Sequence, residues 1–563
     1  MPDLHVSERI VNVGLRLKAM AERDPSGIAA MMPRRHDQAG RREYETVSFQ
    51  ELEEDSNLLA DGILNLGAKR GMRLVLMVRP SIDFISLVFA MFKVGVVTVL
   101  IDPGMGRTNL IKCLEEVEPE GFVAIPLAQA VRAFLHRRFP KAHLNVTVGR
   151  RWFWGGATID QLRSQSVSES FACAKTKSED PAAIIFTTGS TGPPKGVLYR
   201  HGNFDKQVDE IRDRYEIEPG EIDLAGFPLF GLFNCAMGVT TVIPDMDPTR
   251  PAAVDPQNII EAVEDCNVTQ AFASPALWNT VGRYCEKHKT KLPKLRRILS
   301  AGAPVPPHVL GRLKNAIHPD GEIYTPYGAT EALPVASISA SEVLNETAKA
   351  SEGGAGTCVG VKYPGIQWKV IRITDRPIAT IDDVEELPTG ETGELIVRGP
   401  VVTREYVTRV EANKEHKVSD GESIWHRMGD VGYIDDIGRF WFCGRKAHRV
   451  QTVDGTMFTI PCETVINTHG KVYRSALVGV GQSERQRPVM IVETWPEYRP
   501  NSAAEQGKLI DELVQLAATN SKTEAIREFL IHPSMPVDIR HNAKIFREKL
   551  SIWAEAMLKK RRR

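Results

Sequence analysis

The sequence lacks the cysteine and histidine patterns that mark two large classes of protein. Its eight cysteines are scattered with no Cys-x-x-Cys pair, and its fourteen histidines form no His-Glu-x-x-His array. This argues against a disulfide framework and against a zinc site of the usual spacing. Reduced thiols inside a cytoplasmic protein are the interpretation that fits best.

The chain also lacks net charge and long apolar runs. Lys plus Arg and Asp plus Glu both number 71, which argues against nucleic acid or an acidic membrane as the main partner. The longest apolar stretch, residues 84–101, is interrupted by Lys93 and Gly95, so we expect no transmembrane segment. The first residues lack a basic head and an apolar core, so we expect no signal peptide. A basic run at residues 559–563 is interpreted as a solvated tail, with docking to anionic lipid or a partner as the less favoured alternative.

The order of the predicted elements indicates an α/β protein with a large N-terminal body. Residues 74–78 and 96–101 are predicted strands separated by a predicted helix at 82–92, which is a parallel βαβ pattern. After about residue 353, strand-like stretches between Gly/Pro turns predict a β-rich subdomain that extends to about 440. We therefore expect an N-terminal body at residues 1–440.

The remaining residues, 441–563, are expected to form a small α+β domain that closes over the body as a lid. Residues 472–480 and 489–493 are predicted strands, whereas residues 503–519 and 522–529 are predicted helices.

A polar segment after a buried strand is the most informative feature of the chain. The apolar run 182–186 predicts the strand, and the segment that follows reads Thr187, Thr188, Gly189, Ser190, Thr191, Gly192, Pro193, Pro194, Lys195 and Gly196. Glycines allow the backbone N–H groups to approach an anion, hydroxyls add donors, and a lysine adds a mobile positive charge. The pattern favours a phosphate-binding loop over a polar surface hairpin. It is not a Walker A loop, since prolines precede Lys195 and no Ser or Thr follows it.

This segment resembles the phosphate loop of the adenylate-forming superfamily, which includes acyl-CoA synthetases, peptide-synthetase adenylation domains and beetle luciferases. The resemblance implies an adenylate-forming enzyme fold, a mobile C-terminal lid, and use of ATP with Mg²⁺ to convert a carboxylate into an acyl-AMP with release of pyrophosphate. It implies that Thr188 and Lys195 steady the triphosphate.

Two further strings in the body resemble motifs of the same superfamily. The first, which includes Ala301, Gly302 and Ala303, stands where the family lays backbone against adenine. The second reads Tyr327, Gly328, Ala329, Thr330 and Glu331. The resemblance implies that Tyr327 stacks on adenine, that Thr330 contacts phosphate and that Glu331 holds Mg²⁺, for which a carboxylate with phosphate oxygens and waters is the usual shell.

Three charged residues near the hinge and the C-terminus complete the expected site. Asp430, in a Gly-Asp motif, is implied to accept hydrogen bonds from the ribose, and Arg445 to reach the ribose or phosphate. Lys544 resembles the catalytic lysine that bridges the carboxylate and the α-phosphate, although Ala543 replaces the usual glycine before it. We therefore predict Lys544, Glu331, Thr188 and Lys195 as the catalytic residues.

Five further strings, at residues 102–106, 274–278, 296–306, 398–403 and 540–544, resemble one branch of the superfamily, the β-lactone synthetases of bacterial long-chain olefin biosynthesis. That resemblance implies a long-chain 2-alkyl-3-hydroxyalkanoic acid as the substrate, whose own 3-hydroxyl attacks the acyl carbonyl and expels AMP. Ala447 stands where CoA ligases often carry a hinge acid, which agrees with a reaction that needs no thiol. The implied partners are the other enzymes of olefin synthesis.

Two alternatives stay open at this point. One is a long-chain fatty acyl-CoA ligase or a fatty acyl-AMP ligase, and the other is an inactive homologue that only binds nucleotide or partners. The predicted substrate pocket consists of Phe230, Phe233, Asn234 and Ser274, although apolar stretches of this kind more often belong to the core.

Overall fold

The structure is a computed structural model that describes residues 9–165, 171–187, 193–537 and 545–561. The strands in these ranges are, in chain order, β1 (Ile28–His36), β2 (Arg42–Ser48), β3 (Arg73–Met77), β4 (Val97–Leu100), β5 (Gly121–Ala124), β6 (Leu144–Thr147), β7 (Ala157–Thr158), β8 (Pro181–Phe186), β9 (Gly196–Arg200), β10 (Ile222–Ala225), β11 (Thr240–Val242), β12 (Gln270–Ala273), β13 (Arg297–Ser300), β14 (Glu322–Ala329), β15 (Ala332–Ser339), β16 (Thr357–Lys362), β17 (Gln367–Ile371), β18 (Gly393–Arg398), β19 (Lys417–Asp420), β20 (Ser423–Ile434), β21 (Arg439–Arg445), β22 (Val450–Thr452), β23 (Gly455–Met457), β24 (Val472–Val480), β25 (Arg487–Thr494) and β26 (Glu528–Ile531).

Helices alternate with these strands through most of the chain. The α-helices are α1 (Gly14–Arg23), α2 (Phe49–Asn65), α3 (Ile82–Val94), α4 (Arg107–Val117), α5 (Pro126–Phe134), α6 (Ile159–Gln165), α7 (His201–Tyr215), α8 (Phe230–Met237), α9 (Pro256–Asp265), α10 (Pro275–His288), α11 (Pro307–Lys314), α12 (Ala340–Glu342), α13 (Ala348–Glu352), α14 (Ala412–His416), α15 (Thr459–Ile466), α16 (Ala503–Ala518) and α17 (Arg547–Arg561). Short 3₁₀ turns occur at Pro103–Met105, His136–Arg138, Pro251–Ala253, Ile381–Asp383, Lys446–His448 and Pro496–Tyr498, and a π turn at Val343–Thr347.

The first large sheet has the strand order β7-β6-β5-β3-β4-β8-β9. Along this order, each pair of neighbouring strands from β7 to β8 is parallel. At the other edge, β8 and β9 form an antiparallel hairpin. Parallel strands need crossover helices, and α3 supplies one between β3 and β4. The predicted βαβ unit at residues 74–101 is therefore confirmed.

The second large sheet continues from the body into the strands that follow residue 353. On its main path it has the order β17-β18-β20-β21-β16-β15-β14-β13-β12-β10-β11-β1-β2, and β19 pairs with β20. One half of this sheet is parallel: each strand pairs in parallel with the next in the order β1, β11, β10, β12, β13 and β14. The other half, from β14 to β17 along the same path, is antiparallel. The predicted β-rich region is thus hydrogen-bonded, through β15 and β16, to the sheet of the body.

Helix α3 is an apolar helix buried in the body. Its residues from Phe84 to Val94 are all buried, as expected of a helix that is hydrophobic around its whole circumference. Ser81 caps its first turn by accepting from the Phe84 amide at 3.1 Å, and Gly95 ends it with a φ of 79°. A left-handed φ favours glycine. The string formed by residues 92–95 therefore has a structural role, which is to end this helix.

The C-terminal region contains a three-stranded sheet with the order β24-β25-β26. The helix predicted at residues 522–529 is wrong, because this segment forms a turn and then enters β26. β26 pairs in parallel with β25 and buries Phe529 and Leu530. Its pairing and burial outweigh the local helical preference of the segment.

Candidate active site

A cavity of about 780 Å³ lies where the two large sheets meet. Its wall includes Thr187 after β8, Ser274 after β12, Ala301 and Gly302 after β13, and Gly328 near the end of β14. Parallel strands present their carboxyl ends at one edge of a sheet, and ligands of α/β folds bind at such edges. The fold therefore brings motifs that are far apart in the sequence to one cavity.

The hairpin formed by β8 and β9 holds the ends of the predicted phosphate segment. The Thr187 amide donates to the Lys195 carbonyl at 3.0 Å, and the Lys195 amide donates to Thr187 Oγ1 at 3.0 Å. Both residues line the cavity. Thr188, Gly189, Ser190, Thr191 and Gly192 lie outside the described residues, so their predicted roles stay predictions.

The side chain of Lys195 meets two residues that the sequence motifs did not identify. Its ammonium group lies 3.0 Å from His416 Nε2 and 4.8 Å from the centre of the Tyr406 ring. Burial, together with the charge of Lys195, lowers the pKa of His416 to about 4. His416 is therefore neutral at neutral pH and accepts a hydrogen bond from the lysine, which holds the cation against the cavity wall.

Glu331 lies at the turn between β14 and β15, where the chain reverses into the cavity. Its carbonyl accepts from the Thr403 amide at 2.8 Å and from the Thr403 hydroxyl at 3.0 Å. Its carboxylate accepts from the hydroxyl of Tyr406 at 2.6 Å through Oε1. Tyr406 thus packs against Lys195 and orients Glu331, so that the two predicted phosphate and magnesium residues are joined by one buried ring.

A second cation lies behind this ring. Lys417 Nζ is 5.5 Å from the centre of the Tyr406 ring and donates to the Thr403 carbonyl at 2.5 Å. Burial lowers the pKa of Lys417 to about 7, and burial likewise lowers that of His426, which lines the cavity, well below its ordinary value. Lys417 stands between the recognised motifs, so no motif string could have identified it, whereas His426 lies in the string that contains Asp430.

Tyr327, Asp430 and Arg445 form a connected group at the other end of the site. The Tyr327 hydroxyl donates to Asp430 Oδ2 at 2.5 Å, and Arg445 lies 2.9 Å from Asp430 Oδ1. Burial raises the pKa of Asp430, and the Arg445 charge opposes that shift. Arg445 lines the cavity, whereas Tyr327 and Asp430 lie directly behind its wall.

Two glycines allow the backbone to form the wall next to this group. Gly302 has a φ of 97°, a conformation that L side chains rarely adopt. At Gly328 an added Cβ would lie 2.6 Å from the Ala332 carbonyl oxygen, which leaves no room for a side chain. Thr330 also lines the cavity, and its carbonyl accepts from the Tyr199 hydroxyl at 2.6 Å. Ala303 follows Gly302 and is not a lining residue.

Part of the cavity wall is apolar, and only two of the four predicted pocket residues line the cavity. Phe233 and Ser274 are in its wall. Phe230 stacks on Phe272 at 4.2 Å between ring centres, and Asn234 is fully buried and donates to Asp223 Oδ2 at 2.7 Å. The aromatic and aliphatic wall also includes Phe92, Phe204, Val208, Leu229 and Phe272.

Gln207 is a polar residue next to this apolar wall. Its Nε2 donates to the Leu333 carbonyl at 2.7 Å. This hydrogen bond fixes the Gln207 side chain to the backbone two residues beyond Glu331. Among the lining residues that the structure describes, Gln207 is the one whose buried side-chain oxygen has no hydrogen-bond partner. Oε1 itself is buried beneath the wall, so it would accept from a ligand hydroxyl only once the side chain turns toward the cavity.

Lys544 lies outside the described residues, but the residues on either side of 538–544 are hydrogen-bonded to each other. Val537 and Ile545 form an antiparallel bridge, and the Phe546 amide donates to the Pro536 carbonyl at 3.0 Å. Arg547, two residues further on, makes a buried ion pair with Glu463 at 2.7 Å. The start of α17 is thereby fixed to α15.

The segment that follows Arg445 is attached to the body by a buried ion cluster. Lys446 Nζ lies 3.1 Å from Glu394 Oε2, and the same oxygen accepts from Arg427 Nη2 at 2.5 Å. Ala447, which lines the cavity, follows Lys446. The cluster positions the segment that leads away from Arg445.

The hairpin that holds Thr187 and Lys195, the Glu331 turn and Arg445 lie around one cavity. The chain belongs to the AMP-binding enzyme family, whose model matches residues 18–407. Two relatives are similar over almost the whole chain. The olefin beta-lactone synthetase of Xanthomonas campestris is 44% identical over 97% of this chain and 98% of its own. That of Stenotrophomonas maltophilia is 45% identical over 98% of this chain and 100% of its own.

The crystal structure of ATP-bound MatB from Rhodopseudomonas palustris has the same fold. It superposes with a TM-score of 0.77 at 19% identity and covers 98% of this chain and all of its own. The adenylate-forming fold expected from the sequence is confirmed. Within the ranges that the structure describes, no helix is long and apolar enough to cross a bilayer.

Proposed function

We propose that this protein is a β-lactone synthetase, which uses ATP to convert a 2-alkyl-3-hydroxyalkanoic acid into a β-lactone, AMP and pyrophosphate. The observation that carries this proposal is the 44–45% identity to two olefin beta-lactone synthetases, over nearly the full length of this chain and of each relative. The apolar cavity beside the Glu331 turn supports an alkyl substrate.

In the first step the carboxylate attacks the α-phosphorus, the acyl–oxygen–phosphorus link forms, and the bond to pyrophosphate breaks. Lys195, held by His416, would balance the charge of the departing phosphates. Lys544 would bridge the carboxylate and the α-phosphate. Positioning and charge compensation are the main contributions that a protein makes to this chemistry.

The residues at the site fit a Mg²⁺ ion that is shared with the nucleotide. Glu331 presents a carboxylate whose Oε1 is fixed by Tyr406, and the described residues contain no cluster of three or more metal-ligating side chains. One carboxylate supplemented by phosphate oxygens and waters is the ordinary magnesium shell. Mg²⁺ there would neutralise negative charge on the phosphates.

In the second step the 3-hydroxyl oxygen of the substrate attacks the acyl carbon of the bound acyl-AMP. The bond from that carbon to the phosphate oxygen breaks, AMP leaves with the electron pair, and the hydroxyl proton is released. Gln207 Oε1, once turned toward the cavity, would accept a hydrogen bond from the hydroxyl and aim the hydroxyl oxygen at the acyl carbon. Since both groups belong to one molecule, attack gains the advantage of proximity.

Residues 441–563 would act as a lid on the body formed by residues 1–440, with about 353–440 as its β-rich part, and would bring Lys544 to the cavity for the first step. All eight cysteines are free thiols, which suits a reducing compartment such as the cytoplasm. We further propose that other enzymes of olefin synthesis supply the hydroxy acid and consume the lactone.

The test is mass spectrometry of the products that the purified protein forms from Mg²⁺-ATP and a long-chain 2-alkyl-3-hydroxy acid, with and without CoA. We expect a product lighter than the acid by one water, together with AMP, and no dependence on CoA. A thioester that forms only when CoA is present would identify an acyl-CoA ligase instead. No AMP under any condition, with Lys544→Ala indistinguishable from the wild type, would indicate an inactive homologue.

A further inference from the structure

One surface of the first sheet exposes large apolar side chains. Leu127, Val131 and Phe134 of α5 point outward at helical spacing, and Trp152 and Phe153 lie beside them in the segment before β7. The Phe134 and Phe153 rings are 5.7 Å apart, so the two segments form one surface, which we call the aromatic patch. Phe134 is 77% exposed and Trp152 is 60% exposed. Exposed apolar side chains in one cluster, unlike scattered single ones, mark an interaction site.

The aromatic patch is built on a fixed support. On the inner side of α5, buried Gln129 donates to the Phe122 and Val146 carbonyls at 3.0 and 2.9 Å. Buried Trp154 donates to Thr147 Oγ1 at 2.9 Å, and its ring lies 5.1 Å from Phe153. The exposure of the patch is therefore imposed by the fold.

The same part of the chain carries a local excess of positive charge. Although Lys plus Arg and Asp plus Glu both number 71 in the whole chain, residues 121–159 contain no Asp or Glu and six basic residues, Arg132, Arg137, Arg138, Lys141, Arg150 and Arg151. Arg138 and Lys141 pair with Glu115 and Glu118, which lie outside this segment. Among the described residues, no ion pair involves Arg137 or Arg150. Although the net charge of the whole chain is zero, the segment that carries the aromatic patch is therefore basic. We call these basic residues the basic rim.

The patch is separate from the active site. It lies over β5, β6 and β7, at one edge of the first sheet, whereas β8 and β9, which hold Thr187 and Lys195, form the other edge. A change in the patch can therefore be examined without altering the cavity.

We propose that the aromatic patch docks the protein onto a bilayer surface that contains anionic lipid. Trp and Phe favour the boundary between headgroups and acyl chains, and a basic rim is attracted by anionic headgroups. Arg137 and Arg150, which make no ion pair among the described residues, leave positive charge beside the apolar centre, and anionic headgroups supply the matching charge. The inference does not depend on which acid the enzyme activates.

The test is co-sedimentation of the full chain with vesicles of phosphatidylcholine alone or mixed with phosphatidylglycerol, at low and high salt. We expect binding to the mixed vesicles, weakened by salt. Trp152→Ser with Phe153→Ser should reduce the bound fraction at least about tenfold, and Arg137→Gln or Arg150→Gln about fivefold each. The matched controls, Ile437→Ser, Val453→Ser and Arg35→Gln, change exposed residues elsewhere and should bind as the wild type does.

Every variant is first checked for unchanged pyrophosphate release and an unchanged thermal midpoint, so that loss of fold is recognised. Binding that survives all patch substitutions would overturn the proposal and point to another surface, such as the basic C-terminal run. Light scattering provides the remaining outcome. A wild-type dimer that the patch variants convert to a monomer, without lipid binding, would overturn it in favour of an interface between two copies.

Discussion

Tyr406 connects Lys195, the predicted phosphate residue, to Glu331, the predicted magnesium residue. Its ring lies under the Lys195 ammonium group, and its hydroxyl donates to Glu331. Burial raises the pKa of this hydroxyl well above its ordinary range, so it remains a donor at any working pH. We therefore expect the residue to position the two groups and not to transfer a proton.

Tyr406→Phe should reduce the rate of pyrophosphate release about ten- to a hundredfold, since a hydrogen bond to a charged group contributes about 1.5–3 kcal/mol. Glu331 would be less well oriented, so the half-saturating Mg²⁺ concentration should also rise. Pyrophosphate release measured across a Mg²⁺ series checks both effects. Tyr473→Phe, whose ring packs on Trp495 in the C-terminal sheet, is the matched control. An unchanged Mg²⁺ dependence in Tyr406→Phe would contradict the positioning role.

Gln207→Leu tests the proposed recognition of the 3-hydroxyl. The substitution removes the unpaired acceptor while keeping an apolar wall, so lactone formation from the hydroxy acid should fall about tenfold or more. Adenylation of the matching acid without a 3-hydroxyl, measured as pyrophosphate release, should stay within about twofold of the wild type. Gln257→Leu, at an exposed position on α9, serves as the control. An equal loss on both acids would show that Gln207 only supports the structure.

The residues of the site were predictable where they belong to a recognisable string. Thr187, Lys195, Gly302, Thr330 and Glu331 all reach the cavity. Tyr406, His416 and Lys417 were not predictable, because they stand in an unremarkable stretch and meet Lys195 and Glu331 only after the sheet has folded. Asn234 was predicted as a pocket residue from its apolar neighbours, but its partner in the structure is Asp223 on the adjacent strand.

At the scale of the elements, the start of α17 is held to another helix by a buried ion pair. Arg547 and Glu463 form a buried pair, with side-chain exposures of 14% and 6%, and the bridge between Val537 and Ile545 lies immediately before it. The pair ties α17 to α15 and thereby holds one end of the segment that contains Lys544.

Arg547→Met should cost about 3–5 kcal/mol of stability because it leaves the Glu463 charge buried and unpaired. Adding Glu463→Gln should recover most of that loss. Arg487→Met, which breaks a partly exposed pair of 3.4 Å with Glu528, should cost about 1 kcal/mol or less. Urea unfolding of the three variants measures these differences, and pyrophosphate release should fall in Arg547→Met. Equal stability of Arg547→Met and Arg487→Met would contradict the account.

Strand β10 carries a titratable group in the core. Burial raises the pKa of Asp223 from 3.8 to about 8. Between these values the folded state keeps a proton that the unfolded state has lost, so stability falls as the pH rises through this window. The stabilising protonated form is fully present below the unfolded pKa and is lost as the pH passes the folded one.

Asp223→Asn keeps an acceptor for Asn234 but cannot ionise. The stability difference between the variant and the wild type should therefore grow with pH by up to about 1.4 kcal/mol per unit between about pH 4 and pH 8. Thermal midpoints at about pH 5 and about pH 8 measure this trend. The same difference at both pH values would show that Asp223 is ionised in the folded protein.

The elements were predicted well where their pattern was local. The helix at α3 and the strands β3, β4, β24 and β25 follow from apolar periodicity alone. The segment that became β26 has helical spacing, and its true state depends on β25, which precedes it by more than thirty residues. Long-range pairing of this kind leaves no local trace in a sequence.

At the scale of the whole molecule, two sheets direct their strand ends to one cavity, and a patch at the far edge of the first sheet provides the proposed membrane contact. The motif order was sufficient to predict the fold family, because each motif ends a strand or begins a turn of that fold. The local charge excess could have been found from the sequence, since residues 121–159 lack acids altogether, but the exposure of the aromatic side chains required the structure.

The central claim is that the acyl group is transferred to the substrate's own hydroxyl. The most direct measurement compares AMP release, without CoA, from two matched long-chain acids that differ only in the 3-hydroxyl. We predict repeated turnover of AMP with the hydroxy acid, and with the other acid a pyrophosphate burst no larger than the amount of enzyme, since the acyl-AMP has no acceptor. Repeated AMP release that requires CoA and is the same for both acids would contradict the claim.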